Sequence, residues 1–477
     1  MQDLKKLHKN YFMHKIAERA AAPMAVRRWY ACWLRKRRVF AGSYAGSAGR
    51  RDKYAQGRIG LARAKEWMMS VVNPAQGDFV VGGIRLSRPF RIRRLGHFGV
   101  YVHDPDAIQD FYCRLLGFHV ADQIDYTGRL PEDQLLALGP RKGYFMRHGT
   151  EHHSFVIFPK KVAQAVYKSP ADSDITINQI TWQVGSLREV VDGFDWFKKR
   201  GFVIHRAGRD SPGSNWNVYP KDPEGHVNEL FYGIEQIGWD GQSKPMKLHE
   251  TRYTAPPGLP HISEYEEVRR AREKQVDLQS GNRSLELGEE KYDVGGVLLA
   301  RPFKVVRVGP VRLFIEDMEQ ALRFYRDDLG LMVTEEVVWN GHRCIFLRAN
   351  TEHHSIALYP KALRAELGLS AMTSLFSFGM QVGDYTQLCD ALAFLRREGV
   401  TIRHLPPELF PGIDYCAFAI DHDGHAIQLY YYMEQVGWDG RPRPAEARPK
   451  IDNDNWPAEL PAASDTFLGE NYLGPWN

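Results

Sequence analysis

Apolar and polar residues alternate along Arg93-Arg94-Leu95-Gly96-His97-Phe98-Gly99-Val100-Tyr101-Val102, the mark of a half-buried strand. Past Asp104-Pro105, a favourable helix start, the period lengthens. Ala107, Ile108, Phe111, Tyr112 and Leu115 recur at helical spacing until Gly117. Strand-like runs follow at Phe118–Ile124, Gly143–Arg147 and His152–Phe158. The same order then returns. A strand is expected at Ile177–Val184, a helix at Leu187–Arg200 closed by Gly201, and strands at Phe202–His205, Asn217–Tyr219 and Val227–Tyr232. This predicts two βαβββ modules in tandem.

A second pair of modules follows. Arg301-Pro302-Phe303 repeats Arg88-Pro89-Phe90, and Val306–Ile315 repeats the first strand with Pro310 opposite His97. A helix is expected from Asp317 to Gly330, then strands at Leu331–Val338, Arg343–Leu347 and His353–Tyr359. The last module opens near Phe376, with a helix at Tyr385–Glu398 and strands at Tyr415–Ile420 and Ala426–Tyr431. Both halves end alike, in Glu235-Gln236-Ile237-Gly238-Trp239-Asp240-Gly241 and Glu434-Gln435-Val436-Gly437-Trp438-Asp439-Gly440. A repeat this long, built of strand triplets, points to paired sheets rather than a solenoid. The expected fold class is α+β, with four βαβββ modules in two pairs. The expected divisions are a basic, partly helical N-terminal arm at 1–78, a first paired domain at 79–243 and a linker with a charged helix at 244–290. A second paired domain at 291–441 and a surface tail at 442–477 complete the chain.

Composition narrows the class. With 43% hydrophobic and 25% charged residues over 477 positions, the chain has material for more than one core. No apolar run reaches membrane-spanning length. The 5 cysteines show no CxxC spacing and no secretory signal is visible, so a reduced, cytoplasmic setting is expected. Basic residues far outnumber acidic ones between Met1 and Ser70, against a net charge of only +5, so the remainder is net acidic. No nucleic-acid-binding motif accompanies the basic arm. Its expected role is packing on a partner subunit, or a solvated extension, rather than nucleic-acid binding.

Three motifs carry candidate chemistry: Gly96-His97, Glu151-His152-His153-Ser154, and Asp222-Pro223-Glu224-Gly225-His226-Val227-Asn228-Glu229-Leu230-Phe231. On these, over roughly 88–241 and 301–440, the sequence resembles the vicinal oxygen chelate superfamily, and within it the extradiol catechol dioxygenases. The resemblance implies an open, curved sheet that cups a divalent metal. In those enzymes two histidines and a glutamate hold the ion. Their positions fall here on His97, Gln179 and Glu229, with Gln179 standing where the second histidine is expected. A two-His-one-carboxylate face suits Fe(II), because three positions stay open for substrate and dioxygen. An amide oxygen is a poorer donor, although some glyoxalases of the superfamily use one. The resemblance also gives His153 the place of an acid–base histidine and Tyr219 that of a tyrosine near the substrate oxygen. A further expected histidine is Asp210 here. Phe155, Trp182, Trp216 and Phe231 are expected to form apolar walls for an aromatic ring.

Each of these residues also has a structural reading. His97 alone is an ordinary strand histidine, and Gln179 alone a buried amide. His153 has a copy, His354, in a half whose ligand positions read Pro310, Ser377 and Gln428 and whose tyrosine is Phe418. The histidine pair can therefore serve folding as well as chemistry. His226 and His425 follow Asp-x-x-Gly turns and read as turn residues. Taken together, the expectation is a metal-dependent extradiol-type dioxygenase that cleaves a small catecholic substrate with O2. It would use Fe(II), with Mn(II) or another divalent metal as alternatives, and assemble as a homo-oligomer away from membranes. The second half is expected to be silent. Two alternatives stay open: a non-oxidative glyoxalase- or epimerase-like lyase or isomerase, favoured by Gln179, and a non-catalytic ligand-binding protein.

Overall fold

Two glycines turn the chain within its first hairpin. Gly82 and Gly83, at φ 56° and 83°, form the tight turn between β1 (Phe79–Val81) and β2 (Ile84–Leu86), a left-handed conformation that glycine adopts without steric cost. The computed structural model describes residues 77–461 apart from 239, 249–251, 285 and 438. All but the last residues of the expected basic arm, and the end of the tail, lie outside the described residues.

Eight strands then form one sheet. They are β3 (Arg94–Val102), β4 (His119–Asp125), β5 (Lys142–Arg147), β6 (Phe155–Pro159), β7 (Ile177–Gln183), β8 (Ile204–Gly208), β9 (Trp216–Pro220) and β10 (Asn228–Tyr232). Their order is β4-β5-β6-β3-β7-β10-β9-β8. β3 runs parallel to β6 and β7 parallel to β10, while β3 and β7 meet antiparallel at the centre. This is two βαβββ modules joined side by side. The crossover helix Leu187–Lys199 starts where Ser186 accepts a hydrogen bond from the Glu189 amide. The first crossover helix, Pro105–Asp110, continues as a π-helical turn over Phe111–Leu115.

The second half repeats the plan. A hairpin of β11 (Tyr292–Val294) and β12 (Val297–Leu299) precedes β13 (Val305–Ile315), β14 (Met332–Trp339), β15 (His342–Arg348) and β16 (Ile356–Pro360). Then come β17 (Leu375–Val382), β18 (Ile402–Arg403), β19 (Cys416–Ile420) and β20 (Ala426–Tyr430), in the corresponding sheet order. The α+β class and the four modules in two pairs are thus the observed architecture. Three short helices, Glu132–Leu138, Lys160–Tyr167 and Leu363–Glu366, are additional to the expected elements. Among the described residues no helix is long and apolar enough to cross a membrane.

One apolar core runs through both halves. Phe155 of β6 stacks on Phe378 of β17 with centroids 5.1 Å apart, and Phe98 packs on Phe378 at the same distance. Symmetric polar ties flank this core. Tyr112 donates to Asp421 and Tyr325 to Asp222, each from one half to the other. His226 Nε2 lies 2.9 Å from Ser374 Oγ, and His425 Nε2 lies 3.1 Å from Thr176 Oγ1. The two histidines are therefore more than turn residues: Nδ1 closes the turn on Asp222 or Asp421, and Nε2 reaches the opposite half.

The linker is docked rather than loose. Its helix Glu264–Glu273 sends Glu267 to a buried ion pair with Arg209, and Asn282 donates to backbone carbonyls of Val120 and Ala121. The described part of the tail is held as well. Tyr385 donates to the Pro457 carbonyl, Trp456 packs on Tyr415, and Arg448 pairs with Glu335.

Candidate functional site

The candidate site sits where β3, β7, β9 and β10 meet. The register of β3 on β7 is broken twice, between Leu95 and Phe98 and between Gly99 and Val100. Such bulges re-aim side chains. At the first, Thr181 Oγ1 donates to the His97 carbonyl. At the second, Asn178 reaches the same small cavity as Arg206, next to Gln179. Gly96 makes room here, because a Cβ on it would lie 2.2 Å from the Phe231 ring.

His97 and Glu229 are fully buried, and His97 Nε2 lies 3.0 Å from Glu229 Oε2. Asn215 Nδ2 donates to the other carboxylate oxygen, Oε1. The Tyr219 hydroxyl is within hydrogen-bonding reach of Glu229, and burial first, then Glu229 and Asp210, hold its pKa well above the ordinary range against the pull of Arg206. The His153 ring lies 4.2 Å from His97 and the Phe231 ring 4.9 Å from it. Burial, with His97, His152 and Arg206 nearby, keeps His153 well below its usual pKa and hence neutral. Its Nδ1 is 3.0 Å from His152 Nδ1, and His152 Nε2 is 3.6 Å from Asp122 Oδ2.

A divalent ion can be tested against this geometry. Two ligands at right angles, each about 2.1 Å from an ion, stand about 3 Å apart, which is the His97–Glu229 separation. His97 Nδ1 is buried without a hydrogen-bond partner, and Nε2 is the nitrogen that faces Glu229. Gln179 Oε1, at the third expected position, accepts a 3.2 Å hydrogen bond from Arg206 Nη2. Among the described residues no group of three or more His, Cys, Asp or Glu side chains gathers as a metal would need. The expected ligand positions thus carry one imidazole, one carboxylate and one amide, of which His97 and Glu229 face each other at ligand spacing.

Of the residues expected to wall the site, only Phe231 meets His97. Phe155 lies in the core between the halves. Trp182 faces that core too and donates to Asn228 Oδ1, because its strand parity is opposite to that of Gln179 and Thr181. Trp216 packs on Tyr253 and His261 of the linker, under the Arg209 guanidinium. The contacts not anticipated are Asn215, Arg206 and Phe145, whose ring lies 5.0 Å from His153. Phe145 was visible as an apolar residue in a predicted strand, but nothing in its spacing pointed at His153.

Arg206 sits beside Gln179 and Tyr219. Its guanidinium stacks 4.2 Å over Tyr219 and sits 3.2 Å from Asp210 Oδ2. Burial works against its charge, but Asp210, the Tyr219 and Tyr167 phenols and Glu229 hold its pKa well above the ordinary value. A small cavity beside Arg206, bordered by Tyr126, Phe145, Tyr167 and Asp210, measures ≈ 20 Å³. That is space for about one water. A roomier cleft of ≈ 310 Å³ lies between the halves, lined by the Arg94–Glu151 and Arg307–Glu352 pairs and by Gly96 and Ser154, the chain neighbours of His97 and His153.

The second cup is closed by its own residues. Pro310, Ser377, Gln428 and Phe418 occupy the ligand and tyrosine positions. Arg312 stands where the first half has Gly99, and its neighbour is Ala357 where Gly99 faces Val156. The smaller alanine leaves space for the arginine. Arg312 is fully buried, donating to Ser377 Oγ and to His354 Nε2.

Comparison with known proteins agrees with this architecture. The model of the Glyoxalase/Bleomycin resistance protein/Dioxygenase superfamily matches residues 94–230 and 307–429, more than half of the chain. A 3-methylcatechol 2,3-dioxygenase from Pseudomonas putida is 27% identical over 143 residues, 30% of this chain and 43% of that protein. The match thus spans less than half of the relative's length. Among solved structures, homoprotocatechuate 2,3-dioxygenase from Arthrobacter globiformis has 19% identity and a TM-score of 0.46, covering 76% of this chain and 87% of its own. The Mn(II)-bound glyoxalase from Novosphingobium aromaticivorans has 15% identity and a TM-score of 0.44, covering 76% and 96%.

Proposed function

The chain belongs to the glyoxalase/bleomycin resistance protein/dioxygenase superfamily, and from that premise we propose that it is a metal-dependent extradiol-type dioxygenase cleaving a catecholic substrate with O2. The observation that carries this reading is the buried His97–Glu229 pair at 3.0 Å with the neutral His153 ring 4.2 Å from His97. His97, Glu229 and Gln179 would hold a divalent ion, Fe(II) or else Mn(II). When bound, it would supply an electron path between a catecholate and dioxygen. The protein's own part is positioning and proton transfer. His153 accepts the proton that a catechol hydroxyl gives up and later returns it. Its Nδ1 is engaged with His152, which leaves Nε2 for that exchange. Tyr219 stays protonated and donates to a substrate oxygen. Phe231 and Phe145 flank the two histidines and keep bulk water from them.

The test is direct. Protein loaded anaerobically with Fe(II) and given catechol or 3-methylcatechol in air should consume oxygen and form a yellow ring-fission product. Metal binding without oxygen uptake would refute ring cleavage. It would favour the second reading, a non-oxidative lyase or isomerase. The observation behind that reading is the amide of Gln179 in a ligand position.

A further inference from the structure

Arg206 is a charged group of the cup with no role in the reading above. Its Nη2 donates to Gln179 Oε1, the atom that would have to face a bound ion. It stacks on Tyr219 and is favoured by the charge of Glu229. One cation already sits among the residues assigned to another. The second half carries the same arrangement to its end. Arg312 contacts Ser377, which stands in Gln179's place, and His354, which stands in His153's place, with the Phe410 ring 5.2 Å away. Arg206 comes from β8 and Arg312 from β13, so two unrelated positions deliver a guanidinium beside the same site of each cup.

Arg206 differs from Arg312 in having an exit. Its side chain is 24% exposed, and its Nη1 already lies 3.2 Å from Asp210 Oδ2. Asp210 is held from the other side by Arg252 of the linker. A turn of Arg206 toward Asp210 would release Gln179 and keep the ion pair.

Resting on the proposed metal site, we infer that Arg206 is a built-in competitor of the ion: guanidinium and metal alternate at Gln179, and Arg206 sets the metal affinity. Like charges a few ångströms apart in a buried site repel strongly, so Gln179 Oε1 serves one at a time. Arg206 is in this sense a positioning residue, acting through Gln179.

The experiment is an anaerobic Mn(II) titration of the full chain, with free Mn(II) read from its electron paramagnetic resonance signal. Arg206→Ala should bind Mn(II) at least about tenfold more tightly than the wild type. Gln179→Ala should bind more weakly, and adding Arg206→Ala to it should recover little. Equal affinities for wild type and Arg206→Ala would overturn the inference while leaving the metal site standing. A full gain that persists in the Gln179→Ala background would also overturn it, because Arg206 would then act through charge at a distance. If neither protein bound Mn(II), the metal reading and the inference would fall together. Should Arg206→Ala fail to fold, Arg206→Gln makes the same test with the side-chain bulk retained.

Discussion

Glu229 is aimed by its neighbours: Asn215 donates to one carboxylate oxygen and His97 faces the other. His97→Ala or Glu229→Ala should each weaken Mn(II) binding by at least about a hundredfold and abolish turnover, measured by metal titration and oxygen uptake. His354→Ala should leave both unchanged. It should cost about 1–3 kcal/mol in a denaturant melt, because Arg312 and His353 lose a buried partner. Metal loss in His354→Ala with retention in His97→Ala would move the centre to the other half. That His97, Tyr219, Glu229 and Phe231 lie together was legible from the motifs that carry the resemblance. Arg206 was not, since it lies in an edge strand without a motif and the pattern cannot show where a long side chain folds back. Trp182 misled in the opposite way. An aromatic residue beside a candidate ligand invites a role, but two-residue parity turns it to the core.

At the scale of elements, the change of hydrophobic period marked strands and helices to within a few residues. The short helix Lys160–Tyr167 escaped because it follows β6 directly, with no loop or capping residue to announce it. The ties made by the turns before β10 and β20 were hidden too, since a sequence shows the turn but not the partner across the molecule. Those ties carry a pH dependence. Burial disfavours the charged imidazole of His226, but Asp222 and then Glu224 override it and raise its pKa. His425 is raised in the same way by Asp421 and Asp423. A raised folded pKa means that the tie stabilises fully below the unfolded value of about 6.5 and weakens as pH climbs through the folded one. The thermal midpoint should therefore fall from neutral into alkaline pH, and the double variant His226→Gln/His425→Gln should lose most of that slope. An unchanged slope would mean that other groups titrate. Asp421 works in the opposite sense. Despite burial, His425 and its hydrogen bonds hold it low, so its share is lost as pH falls through its depressed pKa.

For the whole molecule, repetition announced two halves but not one interior. Pattern tells which face of a strand is apolar, not what covers it, and here each half covers the other through Phe98, Phe155 and Phe378. The covalent connection between the halves is thus not what keeps them together. A single proteolytic nick between residues 244 and 290 should give two bands on a denaturing gel, yet one particle on a sizing column and one melting transition. Supplied as separate polypeptides, the halves would act as an obligate heterodimer, each insoluble without its complement because the rings that meet at this seam would face water.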